Sequence, residues 1–177
     1  GNPARNTGIE AATGEYIQLL DDDDWLLPEK IERQIPLLES DPSVGVVYCG
    51  LRDEEVGPIL PKEGNRGDVL EQALEVDTLH PCQTVTMLFE GELLRELHPL
   101  VAREAGDDLG VKIRAAARTR FDFIDEVLVV KGSSEHHRAN KLEFSDEIWN
   151  LIEEYDHLYD RFDESVRRHA IMVAYKS

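Results

Sequence analysis

The sequence has only two cysteines, Cys49 and Cys82, and they form neither a CxxC pair nor a cysteine–histidine ligand pattern. This scarcity excludes a disulfide-stapled scaffold and a zinc module, and it suits the reducing cytoplasm. The sequence also lacks a signal-peptide pattern and any apolar run long enough to cross a bilayer. We therefore expect a cytoplasmic protein with no transmembrane segment.

Positive charge is scarce as well. The 19 Lys and Arg residues face 37 Asp and Glu residues, which gives a formal net charge of -18, and only six of the basic residues are lysines. Such a surface repels nucleic-acid backbone, which excludes nucleic acid as a partner. An acidic, lysine-poor surface favours solubility at high salt, where screening removes the self-repulsion, so we expect a halophilic host.

The 177 residues, 41% of them hydrophobic, are enough for one globular domain with a core. Asn2 is expected to cap a helix that Pro3 begins and Gly14 ends. The run that follows, EYIQLL, is apolar on both faces and predicts a strand buried in a parallel sheet. A second helix should start at Pro28 and kink or end early at Pro36.

The rest of the chain continues the alternation of helices and strands. The predicted elements are a strand at 44–49, a surface loop at 52–68, a helix at 69–74, a strand at 83–89, helices at 92–97 and from 107, a strand at 121–130 and helices from 142 onward. This order predicts an α/β fold.

Four consecutive aspartates, residues 21–24, directly follow the first apolar run. Ligand sites in open α/β sheets lie at the carboxyl ends of strands, where these aspartates would be. On an extended chain Asp21 and Asp23 point the same way, and two convergent carboxylates suit Mg²⁺ or Mn²⁺ with substrate phosphates. An EF-hand is excluded, because Trp25 and Leu26 would occupy its fifth and sixth positions. The alternative is a solvated acidic face, and Trp25 itself is expected to pack in the core.

The segment ARNTGIEAATGEYIQLLDDDDWLLPEKIERQ, residues 4–34, resembles the family 2 glycosyltransferases of the GT-A fold. That family's signature runs ARN-x-GI-x-x-A-x-GEYI, a hydrophobic pair, D-x-DD, an aromatic residue and proline. A weaker, collinear resemblance extends to about residue 140. It implies a Rossmann-like GT-A domain over residues 1–140, followed by a helical tail over 141–177. It also implies metal-dependent, inverting sugar transfer from a nucleotide-diphosphate-sugar donor to an acceptor hydroxyl.

The resemblance assigns residues to the donor side of the site. Asp21 and Asp23 would hold the Mn²⁺ or Mg²⁺ that bridges the donor diphosphate, with Asp24 as a near neighbour. Arg5 and Asn6 match the ARN element, which lies close to the donor in that family. The alternative for Arg5 is an ordinary exposed helix residue.

On the acceptor side, Asp107 and Asp108 match an acidic pair that opens a helix in the family. The resemblance implies that Asp108 is the base that deprotonates the acceptor hydroxyl, while Asp107 positions it or binds acceptor. Alternatively, Asp107 only caps the helix. Residues 109–111 depart from the family, which often has aromatics there. His136 or His137 would face the metal from a loop; solvated loop histidines are the alternative.

The family's nucleotide-binding βαβ half has no counterpart in the sequence, so the resemblance implies a domain truncated ahead of Gly1. We then expect an exposed sheet edge, association of copies through it, and loss of activity in this chain alone. The acceptor, whether sugar, lipid or protein, is not assigned; it could draw the chain to the inner membrane face. Two other functions stay open: a non-catalytic acidic binding or assembly module, and a metal-dependent nucleotidyl- or phosphotransferase.

Overall fold

A computed structural model describes residues 1–103, 105–132 and 141–176, the side chains of residues 141 and 142 excepted. The helices are α1 (Asn2–Ala11), α2 (Lys30–Ser40), α3 (Leu70–Leu74), α4 (Gly91–Leu97), α5 (Asp107–Ala116), α6 (Lys141–Glu154), α7 (Asp156–Tyr159) and α8 (Glu164–Lys176). The strands are β1 (Tyr16–Gln18), β2 (Trp25–Leu26), β3 (Val44–Asp53), β4 (Gly57–Ile59), β5 (Leu88–Glu90) and β6 (Arg120–Val130). The predicted α/β class is therefore confirmed.

The strands form one sheet in the order β1-β5-β3-β6-β2, with β4 paired to β3. Only the long central strands β3 and β6 run parallel; the other pairs are antiparallel. The prediction of a parallel-sheet strand at EYIQLL is therefore wrong. β1 is three residues long and ends the sheet, and Leu20 beyond it is 53% exposed. Association of copies through the β1 edge stays a prediction.

The core forms where apolar residues of β3 and β6 meet the helices. Eight consecutive residues of β3 are buried, and Tyr48 packs against Phe123 of β6 with ring centroids 5.6 Å apart. The Tyr48 hydroxyl donates to the Asn65 carbonyl at 3.2 Å, so the polar end of this buried ring is satisfied.

Two predicted helix boundaries are wrong. Gly1, not Asn2, is the N-cap of α1. Asn2 is a buried helical residue whose side-chain amide donates to the Val101 carbonyl at 2.6 Å. Helix α2 continues through Pro36 and ends at Ser40, so an early end at the proline is wrong, while the kink stays a prediction. Pro36 and Glu32 both lie on the exposed face, so water can bond the carbonyl that the proline leaves without a donor.

Two predicted segments also differ from the structure. The predicted strand at 83–89 is reduced to β5, because residues 83–87 form a turn in which the Thr86 hydroxyl accepts from the Gln83 amide at 3.0 Å. The predicted loop at 52–68 contains β4, which pairs antiparallel with the end of β3. The first difference is a local turn that the apolar pattern does not show, whereas the second is set by pairing across the sheet.

The C-terminal helices pack on the sheet's own core. Their buried side chains join the main hydrophobic cluster, and the Tyr159 hydroxyl donates to the Leu74 carbonyl of α3 at 2.8 Å. The tail therefore packs on the domain. Within the described residues, no helix combines the length and apolarity that a bilayer crossing needs.

A buried lysine joins α2 to the sheet. Lys30 is fully buried, and its ammonium donates to the side-chain oxygens of Gln18 in β1 and Gln34 in α2. Gln34 in turn donates to the carbonyls of Val47 and Thr86 at 2.7 and 3.0 Å. Burial lowers the pKa of Lys30 to about 8.

This shift predicts a pH-dependent stability. An unfolded lysine keeps a pKa of about 10.4, so between roughly pH 8 and pH 10 the unfolded chain holds a proton that the folded protein has released. The free energy of unfolding should therefore rise with pH across that window, by about 1.4 kcal/mol per pH unit at most. Urea unfolding at several pH values should show this rise for the wild type and not for Lys30→Met. Parallel curves for the two proteins would contradict the assignment.

Candidate active site

One arginine joins two carboxylates from distant parts of the chain. Arg5, on α1, donates through Nη2 to both oxygens of Asp21 at 2.9 and 2.7 Å, and through Nη1 to Oδ1 of Asp108 at 3.3 Å. The Arg5 side chain is only 10% exposed, whereas those of Asp21 and Asp108 are 38% and 32% exposed. The arginine thus lies beneath two carboxylates that remain open to a ligand.

The charge of Arg5 is secured by its neighbours. Burial by itself would lower the pKa of the guanidinium, but the carboxylates of Asp108, Asp21 and Asp107 more than offset burial and raise it. A buried arginine with these partners stays protonated and reduces the repulsion between the carboxylates. The alternative of Arg5 as an ordinary exposed helix residue is therefore wrong, and its predicted place close to the donor stays a prediction.

The acidic run is a turn. The Asp24 amide donates to the Asp21 carbonyl at 3.3 Å, so the extended geometry used to align Asp21 with Asp23 is wrong. Asp24 accepts from the Gly132 amide at 3.0 Å. A Cβ on Gly132 would lie 1.8 Å from the Asp23 carbonyl oxygen, so only glycine fits against this turn.

Each aspartate of the turn has a different environment. Burial raises the pKa of Asp24, while its hydrogen bond from Gly132 opposes the shift and the charge of Asp23 adds to it. Asp22 is exposed, and Asp21 carries the pair to Arg5. Within the described residues, the Asp23 carboxylate accepts no hydrogen bond and remains available to a cation.

The two aspartates at the start of α5, Asp107 and Asp108, make different contacts. Gly106 is the N-cap of α5 and provides no side-chain cap; Asp107 is the first helical residue. The Asp107 carboxylate accepts from the backbone amide of Asn2 at 2.9 Å and from the backbone amide of Arg103 at 3.0 Å. It therefore ties α1 and the preceding segment to α5, and the interpretation of Asp107 as the helix cap is wrong.

Asp108 is oriented by a hydroxyl. Its Oδ1 accepts from the Thr84 hydroxyl at 2.8 Å as well as from Arg5. Its Oδ2 accepts no hydrogen bond from the described residues. The oxygen that is free to take a proton is therefore Oδ2, with the carboxylate held in one orientation by two donors.

One residue of the site could not have been found by pattern. Thr84 is 1% exposed, lies in a stretch without regular periodicity, and reaches Asp108 only through the tertiary fold.

Trp25 was expected in the core, but it is 60% exposed because β2 turns its neighbour Leu26 inward instead. An aromatic following the acidic run was the one signal available for it.

The remaining predicted residues are placed differently. Asn6 exchanges two hydrogen bonds with Leu100, at 2.9 and 2.7 Å, so its amide secures the segment before α5. Its predicted contact with a donor stays a prediction. His136 and His137 lie outside the described residues. Within those residues, no group of three or more His, Cys, Asp or Glu side chains is arranged to hold a metal ion.

The comparisons with known proteins point to one family. The family model described as glycosyl transferase family 2 matches residues 2–97. An uncharacterized glycosyltransferase of Haemophilus influenzae is 32% identical over 68 residues, which are 34% of this chain and 23% of that protein. One of Methanocaldococcus jannaschii is 26% identical over 133 residues, 71% of this chain and 44% of that protein.

Solved structures show the same fold. TarS 1-349 of S. aureus in complex with UDP-GlcNAc aligns with a TM-score of 0.63 at 13% identity, over 94% of this chain and 49% of that chain. The mannosyltransferase PcManGT from Pyrobaculum calidifontis, in complex with GDP-Man and Mn²⁺, aligns with a TM-score of 0.54 at 21% identity, over 100% of this chain and 55% of that chain. The predicted GT-A fold is confirmed, and the chain spans about half of these structures and less than half of the curated relatives.

The bridging arginine predicts a large stability effect. Arg5→Met should lower the free energy of unfolding by about 1.5–3 kcal/mol, because it removes hydrogen bonds between charged groups and leaves Asp21 and Asp108 without the cation between them. Arg33→Met is the matched control: Arg33 pairs with Glu126, but both side chains are about half exposed, so its loss should cost at most about 1 kcal/mol. Equal effects of the two substitutions in urea unfolding would show that Arg5 is only another surface charge.

Proposed function

Because the chain belongs to glycosyl transferase family 2, we propose that it forms the part of a catalytic domain in which a sugar passes from a nucleotide-diphosphate-sugar donor to an acceptor hydroxyl. The observation that carries this proposal is the Arg5 bridge, since it brings the donor-side Asp21 and the acceptor-side Asp108 into one site. The complexes of the two structural neighbours, with UDP-GlcNAc and with GDP-Man and Mn²⁺, support a nucleotide-sugar donor.

The acidic turn fits a divalent cation. Asp21 and Asp23 offer hard oxygen ligands, with Asp24 beside them, and Mg²⁺ or Mn²⁺ commonly takes one or two carboxylates together with substrate phosphates. The cation, when bound, neutralises the charge that develops on the departing nucleoside diphosphate. Arg5 keeps Asp21 in place from beneath and adds positive charge on the same side of the site.

Asp108 performs the proton transfer. Thr84 and Arg5 hold Oδ1, so Oδ2 faces the acceptor hydroxyl and removes its proton. The acceptor oxygen then bonds to the anomeric carbon as the bond from that carbon to the diphosphate oxygen breaks. One base on the face opposite the leaving group gives inversion at the anomeric carbon. Asp107 does not react; it holds the start of α5 against α1.

Calorimetry tests the donor side. Titration of Mn²⁺ into this chain in about 1 M KCl, where charges are screened beyond about 3 Å, should show one saturable site that UDP or GDP strengthens. Asp21→Asn and Asp23→Asn should weaken it at least about tenfold, as expected for loss of a ligand. Asp22→Asn, an equal charge change at the exposed position of the same turn, is the control.

The opposite result is equally clear. Weak heat that is the same in all three variants would mean diffuse cation association set by net charge. That outcome would favour the acidic binding or assembly module over the transferase.

Turnover of a nucleotide sugar tests the acceptor side. Asp108→Asn should lower sugar transfer by about 100-fold or more, while Mn²⁺–nucleotide binding stays unchanged. Asp125→Asn is the matched control, because Asp125 is an exposed carboxylate on β6. Chromatography identifies the product: a free nucleoside diphosphate fits sugar transfer. Any other nucleotide product would indicate a nucleotidyl- or phosphotransferase.

A further inference from the structure

A second route of contacts, separate from Arg5, leaves the proposed base. The Thr84 hydroxyl donates to Oδ1 of Asp108 at 2.8 Å. Gln83, the residue before Thr84, accepts through its side-chain oxygen from the Lys131 ammonium at 3.2 Å. Since Lys131 directly follows β6, two consecutive residues, Gln83 and Thr84, connect Asp108 to the end of that strand.

The same route ends at the acidic turn. Gly132 follows Lys131 directly, and its backbone amide donates to the Asp24 carboxylate at 3.0 Å. The backbone of Lys131 is fixed as well, because its amide donates to the Arg52 carbonyl of β3 at 2.9 Å. A displacement of Lys131 would therefore move the residue that holds Asp24. The proposed base and the proposed cation ligands consequently share a support that belongs to neither of them.

The turn at residues 83–86 gives this route a rigid base. The Thr86 hydroxyl accepts from the Gln83 amide at 3.0 Å and donates to the Gln83 carbonyl at 2.8 Å, which closes the turn. Two carbonyls of the turn accept from the side-chain amides of Gln18 in β1 and Gln34 in α2, each at 3.0 Å. All of its residues except Gln83 are at most 3% exposed. Side chains that leave such a turn are held in one direction.

We propose that Gln83, Thr84 and Lys131 are positioning residues for the transfer reaction: they keep the Asp108 carboxylate in a fixed place relative to the acidic turn without touching the substrate. The inference rests on the proposed transfer and adds residues that act through the base and the cation ligands. In that reaction the base approaches the sugar from the face opposite the leaving diphosphate, so both sides must be held at once. A displacement of about 1 Å can cost about 100-fold in rate.

Steady-state turnover of a nucleotide sugar tests Thr84. Thr84→Val keeps the shape of the side chain and removes the hydroxyl, so kcat should fall at least about tenfold, the effect of one hydrogen bond to a charged group. The KM for the nucleotide sugar should stay within about twofold, because the donor is not contacted. Thr84→Ser, which keeps the hydroxyl, should retain most of the rate. Equal losses in the two variants, or none in either, would contradict the proposal.

Gln83→Met, Lys131→Met and the double variant test the link between the base and the turn. Both substitutions remove the same hydrogen bond, so each should lower kcat by about threefold to tenfold, and the double variant should be no slower than the slower single one. Losses that multiply in the double variant would show that the two residues act separately, against the proposal. Lys176→Met, the same charge change at the end of α8, is the control and should leave kcat unchanged. Gln83 and Lys131 are half-buried, so their variants stay informative if Thr84→Val fails to fold.

The wild type keeps this inference distinct from the proposed function. An active wild type whose Thr84 and Gln83 variants match it in kcat would overturn the inference alone. A wild type that turns over no nucleotide sugar would overturn the proposed function and the inference with it. In calorimetry Thr84→Val should bind Mn²⁺ with UDP or GDP as tightly as the wild type does, because its lost hydroxyl served Asp108. A loss of that binding as large as the loss of rate would place Thr84 on the donor side and refute its role at the base.

Discussion

The site depends on one buried guanidinium between two carboxylates. Asp21 and Asp108 would repel each other at close range, and Arg5 makes their proximity stable because its planar fork bonds both oxygens of one and reaches the other. Since Arg5 lies on α1, Asp21 after β1 and Asp108 on α5, that contact also sets how three elements meet. The arrangement leaves the outer faces of both carboxylates open to ligands.

Hydrogen bonds between side chains and the backbone surround Arg5 and its two carboxylates. Asn6 bonds Leu100 twice, and Asp107 accepts from the amides of Asn2 and Arg103. The Arg103 guanidinium in turn pairs with two glutamates of α6, Glu147 and Glu154. Helix α6 therefore contacts the segment that precedes α5, the helix that carries Asp108. The tail itself contributes no group to the proposed base.

Negative charge far exceeds positive charge in this protein. The 37 Asp and Glu residues outnumber the 19 Lys and Arg residues, and the acidic turn places four aspartates in consecutive positions. Lys30, one of six lysines, lies fully buried, and its ammonium donates to the side-chain oxygens of Gln18 and Gln34. The charge of this lysine is therefore met by amide oxygens rather than by carboxylates.

The sequence by itself determined the features that depend on neighbouring residues. Apolar runs, breakers and the ARN-to-DDDD spacing predicted the α/β class, the family resemblance, the acidic run and the helix that Asp107 opens. Local pattern failed where contacts are distant: Arg5 and Asp108 are 103 positions apart, and Thr84 and Asp108 are 24 apart. Only the tertiary structure decided that β1 pairs antiparallel, that residues 21–24 turn, and that Asp107 accepts from two backbone amides while Asp108 is held through Oδ1 alone. The physical reason is that hydrogen bonds and ion pairs between distant segments, not local propensity, fix the position of a polar side chain in the fold.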